Sequence, residues 1–205
     1  MGGRTTVDLG LGDQPDTTVE LFNELGPRVI GVDADPSRVA RAQSFARPGL
    51  EFASTFENAD LIRAMNVLRG YTVEAAAAET ARWCALLNDG GLLVEGSTDV
   101  DGALGSAHLW RKRGEAVVHE GLYLFTGFSR GFAPMMFRDV LPRDLRRAVK
   151  PGQPVYEFLQ RWQRAFDVGR VAGESPEASF ERSVAALSDV RRDGPNALTW
   201  IAPAV

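Results

Sequence analysis

The sequence predicts an α/β fold: a mostly parallel sheet with helices on both faces, then antiparallel strands and extra helices in the C-terminal half. Three observations predict it. Over the first hundred residues, short apolar runs alternate with helix-periodic runs, and Gly, Asp or Pro stands at the joints. That β-α-β order implies right-handed crossovers and a parallel sheet. From residue 108 the pattern changes to strand-like stretches and two amphipathic helical runs. The 205 residues suit one domain, with residues 1–107 as its α/β core and 108–205 as a region of antiparallel strands and helices.

The elements follow in order. TTVDLG (5–10), RVIGVD (28–33), ADLIRAMNVL (59–68) and GLLVEG (91–96) are short and partly β-branched, as buried parallel strands are. Between the first two, DTTVELFNEL repeats Val19, Phe22 and Leu25 at helical spacing, with Asp16 or Thr17 available to cap it. After the second comes DPSRVARAQSFA, with Pro36 in its first turn and Val39, Ala42 and Ala46 as its stripe. A third strand is expected around LEFAS. Only seven residues separate Phe52 from Asp60, too few for a helical crossover, so no helix is expected there. TVEAAAAETARWCALLN forms a helix that the turn Asn88-Asp89-Gly90-Gly91 ends.

HLWRKRGEAVVHEGLYLFTGF (108–128) predicts antiparallel strands turning near Gly114 and Gly121. PVYEFLQRWQRAF sets Val155, Phe158, Leu159, Trp162 and Phe166 on one helical face, and SPEASFERSVAALSDV aligns Phe180, Val184, Leu187 and Val190. Both stripes read as core. ALTWIAPA (197–204) reads as a final strand.

Composition narrows the function. One cysteine, Cys84, excludes an intrachain disulfide and reads as a core thiol. No run of 18 apolar residues exists and the start MGGRTTVDLG is too polar for a signal peptide, so a cytoplasmic protein without a membrane partner is expected. The net charge of −4 divides into −8 over residues 1–107 and +4 over 108–205. The basic half suits an anionic small molecule; its cations are too dilute for a nucleic-acid partner. A homodimer stays open. His108 and His119 have no third ligand beside them, so no metal is expected. No P-loop is present.

The sharpest motif is TTVDLGLGDQPDTTVELF. A strand carrying Asp8 runs into Gly10 and Gly12, and a helix begins. Glycines there let the chain turn tightly and let a ligand approach without meeting a Cβ. The helix adds N–H groups and the positive end of its dipole. Asp33, 21 residues after Gly12, closes the second strand, where a carboxylate accepts hydrogen bonds from ribose hydroxyls. A dinucleotide site needs a third glycine and has no use for the anionic Asp13 beside a pyrophosphate. A cationic sulfonium donor suits Asp8.

This stretch resembles motif I of the class I S-adenosylmethionine-dependent methyltransferases, D/E-x-G-x-G-x-G, with Gln14 in place of the last glycine. GVDADPSRVARAQ resembles their motif II and ADLIRAMNVLRGY their motif IV. The resemblance covers about residues 5–100. It implies a Rossmann-like core, S-adenosylmethionine as cofactor and a small-molecule acceptor. It implies that Asp8, Gly10, Gly12, Asp33 and Asn66 hold the cofactor while Arg63 and Glu95 face the acceptor; no catalytic residue stands out. Asp99 and Asp101 flank the same sheet edge. Such enzymes usually carry upstream helices over the site, so either the tail helices cover it or it is open.

Overall fold

The computed structural model describes residues 3–201 of the chain. The described residues fall into two compact units: one of residues 3–67, 77–95 and 110–119, the other of 68–76, 96–109 and 120–201.

The first unit is built on parallel strands. β1 (Thr5–Leu9) pairs in parallel with β2 (Arg28–Val32) on one side and β4 (Ala59–Met65) on the other. β2 pairs in parallel with β3 (Leu50–Ala53), and β5 (Leu87–Thr98) lies beyond β4. The order β3-β2-β1-β4-β5 is that of a doubly wound, Rossmann-like sheet. α1 (Asp16–Leu25) and α2 (Pro36–Ala42) connect the strands on one side of β1, and α3 (Val73–Ala85) connects β4 to β5. Since crossovers are right-handed, steps in opposite directions from β1 put helices on opposite faces. Leu11, Val29, Leu50 and Phe52 form a core under α1 and α2. The connection from β3 to β4 has no helix, as its length requires.

The second unit takes the ends of β5 and of the hairpin β6 (Leu104–Arg113) and β7 (Ala116–Thr126), then β9 (Ala197–Trp200) and β8 (Val190–Arg192). β9 is antiparallel to both β7 and β8. α4 (Pro154–Val171) buries Val155, Phe158, Leu159, Trp162 and Phe166, and α5 (Pro176–Ala185) buries Phe180 and Val184. With Phe132, Phe137 and Trp200 these residues make an aromatic core. Edge-to-face contacts such as Phe132–Phe166, with centroids 5.3 Å apart, have the geometry that aromatic quadrupoles favour.

The structure corrects several local expectations. Neither Asp16 nor Thr17 caps α1: Pro15 takes the cap position without a side-chain bond, and Asp16 instead meets the helix dipole from the first turn. Leu25 is half-exposed and Ala46 exposed, because α1 stops there and α2 has already tightened into a 3-10 turn at Gln43–Phe45. Asn88–Gly91 does not end a helix; it is the start of β5. Its polar groups have found partners on the β6–β7 hairpin: Gly114 N–H donates to Asp89 Oδ1 (2.6 Å) and Arg111 to the Gly90 carbonyl (3.0 Å). The hairpin turns only at Gly114. Gly121 lies inside β7, where a Cβ would come within 2.5 Å of the Trp200 carbonyl; β9 passes that close. Val190 begins β8 rather than extending the α5 stripe. β6 starts at Leu104, so residues 107 and 108 lie within one strand. Ala202–Ala204 of the expected final strand lie outside the described residues.

Candidate functional site

In an open α/β sheet, ligands bind beyond the carboxyl ends of the strands where the strand order reverses. Here that point lies between β1 and β4. The chain leaves β1 through Gly10 (φ 86°) and Gly12 (φ 65°), both left-handed. Gly10 is doubly constrained, since a Cβ would also stand 3.0 Å from Val67 Cγ2. At Gly12 a Cβ would meet nothing nearer than the Gln14 carbonyl at 4.0 Å, so the backbone there is open to a ligand. Gly10 N–H donates to the Val32 carbonyl (2.8 Å), which ties the turn to the end of β2.

Asp33 follows β2 directly and is buried. Its Oδ2 accepts from the Leu11 N–H in the glycine turn (3.0 Å), and its Oδ1 accepts from the Asp35 N–H (2.8 Å). Arg38, in the first turn of α2, reaches Oδ2 at 3.5 Å. Glycine turn and carboxylate therefore form one hydrogen-bonded unit.

Asp8 has other partners. The β1–β4 register sets it opposite Arg63, whose Nη1 donates to Oδ1 (2.8 Å), while Thr18 in α1 donates its hydroxyl to Oδ2 (2.7 Å). Burial pushes the Asp8 carboxyl above its ordinary range, opposed by the Arg63 charge and by the two hydrogen bonds. Asn66, the first residue past β4, is exposed and left-handed (φ 65°), a conformation in which Asn is enriched. Glu95 is buried inside β5, three residues short of its end. Asp99 and Asp101 lie in the β5–β6 turn: Asp99 Oδ1 accepts from the Leu104 N–H (3.1 Å), and Asp101 pairs with Arg130.

The structure thus brings together Asp8 with Arg63, and Asp33 with the Gly10–Gly12 turn. Reading the sequence missed Thr18 and Arg38. The signal for Arg38 was a cation five residues after Asp33 in a helical first turn; Thr18 gave none beyond its place in the first turn of α1. It also missed a pair in the second unit, where His108 Nε2 lies 3.0 and 3.2 Å from the two carboxylate oxygens of Asp144. Burial holds the Cys84 thiol up at about 11, so it stays protonated at neutral pH. Among the described residues no three His, Cys, Asp or Glu side chains are placed to hold a metal, and no helix is long and apolar enough to cross a membrane.

No protein-family model matches the chain, and no curated protein sequence does. Solved structures do. Magnesium protoporphyrin IX methyltransferase from Synechocystis PCC 6803 with bound SAH is 22% identical, with 46% of each chain covered and a TM-score of 0.40. The same enzyme with bound SAM gives 17% identity over 57% of this chain and 67% of the other, TM-score 0.41. A methyltransferase from Pyrococcus furiosus gives 15% identity over 64% and 77%, TM-score 0.40. The chain spans about half the length of the first of these.

Proposed function

We propose that the chain is a divergent class I methyltransferase that binds S-adenosylmethionine at the Gly10–Gly12 turn and methylates a small-molecule acceptor. The observation that carries this is the 3.0 Å bond from the Leu11 N–H to Asp33 Oδ2, which holds a carboxylate against an open glycine turn at the switch point of the sheet. The residues fit the cofactor: an approachable backbone at Gly12 and a fixed acceptor for ribose hydroxyls at Asp33. When bound, it supplies a methyl group already activated for in-line displacement, so alignment and water exclusion are the protein's tasks.

A carboxylate offers about four lone-pair sites. Three of those on Asp33 already face Leu11, Asp35 and Arg38, the last at the longest distance. Arg38 is 38% exposed and also lies 3.9 Å from Asp13 and from Asp35, so it can turn to those outer carboxylates and open the place a second ribose hydroxyl needs. Asp8, with one oxygen on Thr18 and the other on Arg63, acts as a positioning residue that fixes α1 and β4 around the turn. Asn66 lies at the β4 end toward the donor; Arg63 through its remaining N–H groups, and Glu95, line the acceptor side. The same reading takes the protein to be cytoplasmic, with its one cysteine reduced.

Calorimetry with S-adenosylmethionine and S-adenosylhomocysteine tests this. Wild-type protein is expected to bind both. Asp33→Ala should weaken binding at least tenfold, whereas Arg38→Ala should leave it equal or tighter. Absence of a wild-type signal at millimolar ligand rejects the proposal. The protein partners on both Asp8 and Asp33 favour one second reading, a catalytically silent binding or oligomerisation module on this scaffold. Methyl turnover on any acceptor would eliminate it.

A further inference from the structure

We infer that Arg69, Arg143 and Arg146, all in the second unit, form a binding site for a small oxyanion, the phosphoryl or carboxylate group of a ligand. Arg69 lies in the 3-10 turn Val67–Gly70. Arg143 donates its Nε to the Tyr71 carbonyl (2.7 Å), which sets its guanidinium beside that turn. Arg146 is three residues further along a tight-turned segment, where Leu145 and Arg146 both donate their N–H to the Pro142 carbonyl. Residues three apart in such a segment point the same way. Its Nε donates to the Leu141 carbonyl (3.0 Å), but its Nη2 is buried with no hydrogen-bond partner.

Among the described residues, no carboxylate lies within ion-pair reach of Arg69, Arg143 or Arg146. The neighbouring acids are engaged or weakly placed: Asp144 is on His108, and Asp139 pairs with Arg138 at 3.4 Å. Burial first, and then the like charges of Arg69 and Arg143, hold Arg146 below the ordinary guanidinium range, with Asp139 opposing. A merely solvated arginine face has no reason to bury an unfilled N–H. An oxyanion at the guanidinium edges that solvent reaches supplies several acceptor oxygens and charge to offset the mutual repulsion of the three cations. This inference stands independently of the methyl donor.

The test titrates inorganic phosphate, and separately acetate, into the full chain without S-adenosylmethionine, against chloride at matched ionic strength. Calorimetry and the thermal midpoint are the readouts. Saturable binding of either anion, with a raised midpoint, supports the site, and the tighter of the two identifies the group. Arg146→Gln should weaken binding about tenfold or more, whereas Arg130→Gln, which removes a cation paired elsewhere, should leave it unchanged. Arg69→Gln at the exposed rim replaces Arg146→Gln if that variant fails to fold. No response to either anion, an equal response to chloride, or undiminished binding by the folded Arg146→Gln or Arg69→Gln variant overturns the inference.

Discussion

Asp8 and Arg63 stand opposite each other on adjacent parallel strands, one buried and the other largely covered. Breaking a buried pair by removing one partner leaves an uncompensated charge, typically at a cost of about 3 kcal/mol or more. Arg63→Ala is therefore expected to lower unfolding free energy by about that amount in urea titrations. A variant as stable as wild type would show that Arg63 has no structural share in the site. The glycine turn and Asp33 were legible in the sequence because strand, turn, helix and strand follow one another within 30 residues. Arg63 and Thr18 as partners of Asp8 were not. The first depends on the register of strands whose residues lie 55 positions apart, which no local spacing encodes. Arg38 was visible in principle, but its direction is a rotamer choice rather than a pattern.

At the scale of elements, apolar periodicity served best where a helix packs on a full core. All five residues of the α4 stripe are buried, since Trp162 and its neighbours have only one side of the helix on which to hide. Glycine served worst. Gly121 permits the close passage of β9, and Gly90 lies in a strand that takes its partners from a hairpin some twenty residues onward; neither signal is local. The His108–Asp144 contact joins β6 to the segment before α4 and makes that junction acid-sensitive. Burial raises the Asp144 carboxyl, but the His108 hydrogen bond and charge, with backbone N–H groups, outweigh it and leave the group below its ordinary range. A carboxyl lowered by folding contributes stability above its unfolded pKa, about 3.9, and loses it as pH falls through the folded value. Wild type should thus lose stability more steeply than Asp144→Asn below about pH 4. Parallel urea midpoints for the two proteins across that range would refute the coupling.

For the whole molecule, β5, β6 and β7 each carry residues of both compact units. Neither unit can lose its strands without breaking into the other, so unfolding is expected in one transition. The tryptophans divide evenly: Trp83 and Trp110 belong to the first unit, Trp162 and Trp200 to the second. Fluorescence and far-ultraviolet circular dichroism should give coincident denaturant midpoints. Trp162→Ala, which removes a fully buried ring and its bond to Ser183, should shift both together by about 3–5 kcal/mol. Separated midpoints would mean that the shared strands do not couple the two cores. This continuity was the least legible feature. A division at residue 107 follows the change in hydrophobic pattern, whereas contacts follow long strands that run through the change.

Asp60, at the opening of β4, accepts the Thr5 N–H at 2.7 Å and the Asn88 side-chain amide at 3.0 Å. One carboxylate thereby fastens the starts of β1, β4 and β5, and the Asn88 bond first, then the Thr5 bond, keeps it ionised below its ordinary range. The Thr5 amide, two residues from the first described one, should accordingly exchange with deuterium as slowly as interior strand amides at neutral pH. Asp60→Ala should release it to the rate of an amide without a hydrogen-bond acceptor. Rapid Thr5 exchange in the wild type would mean that the clasp is open in solution.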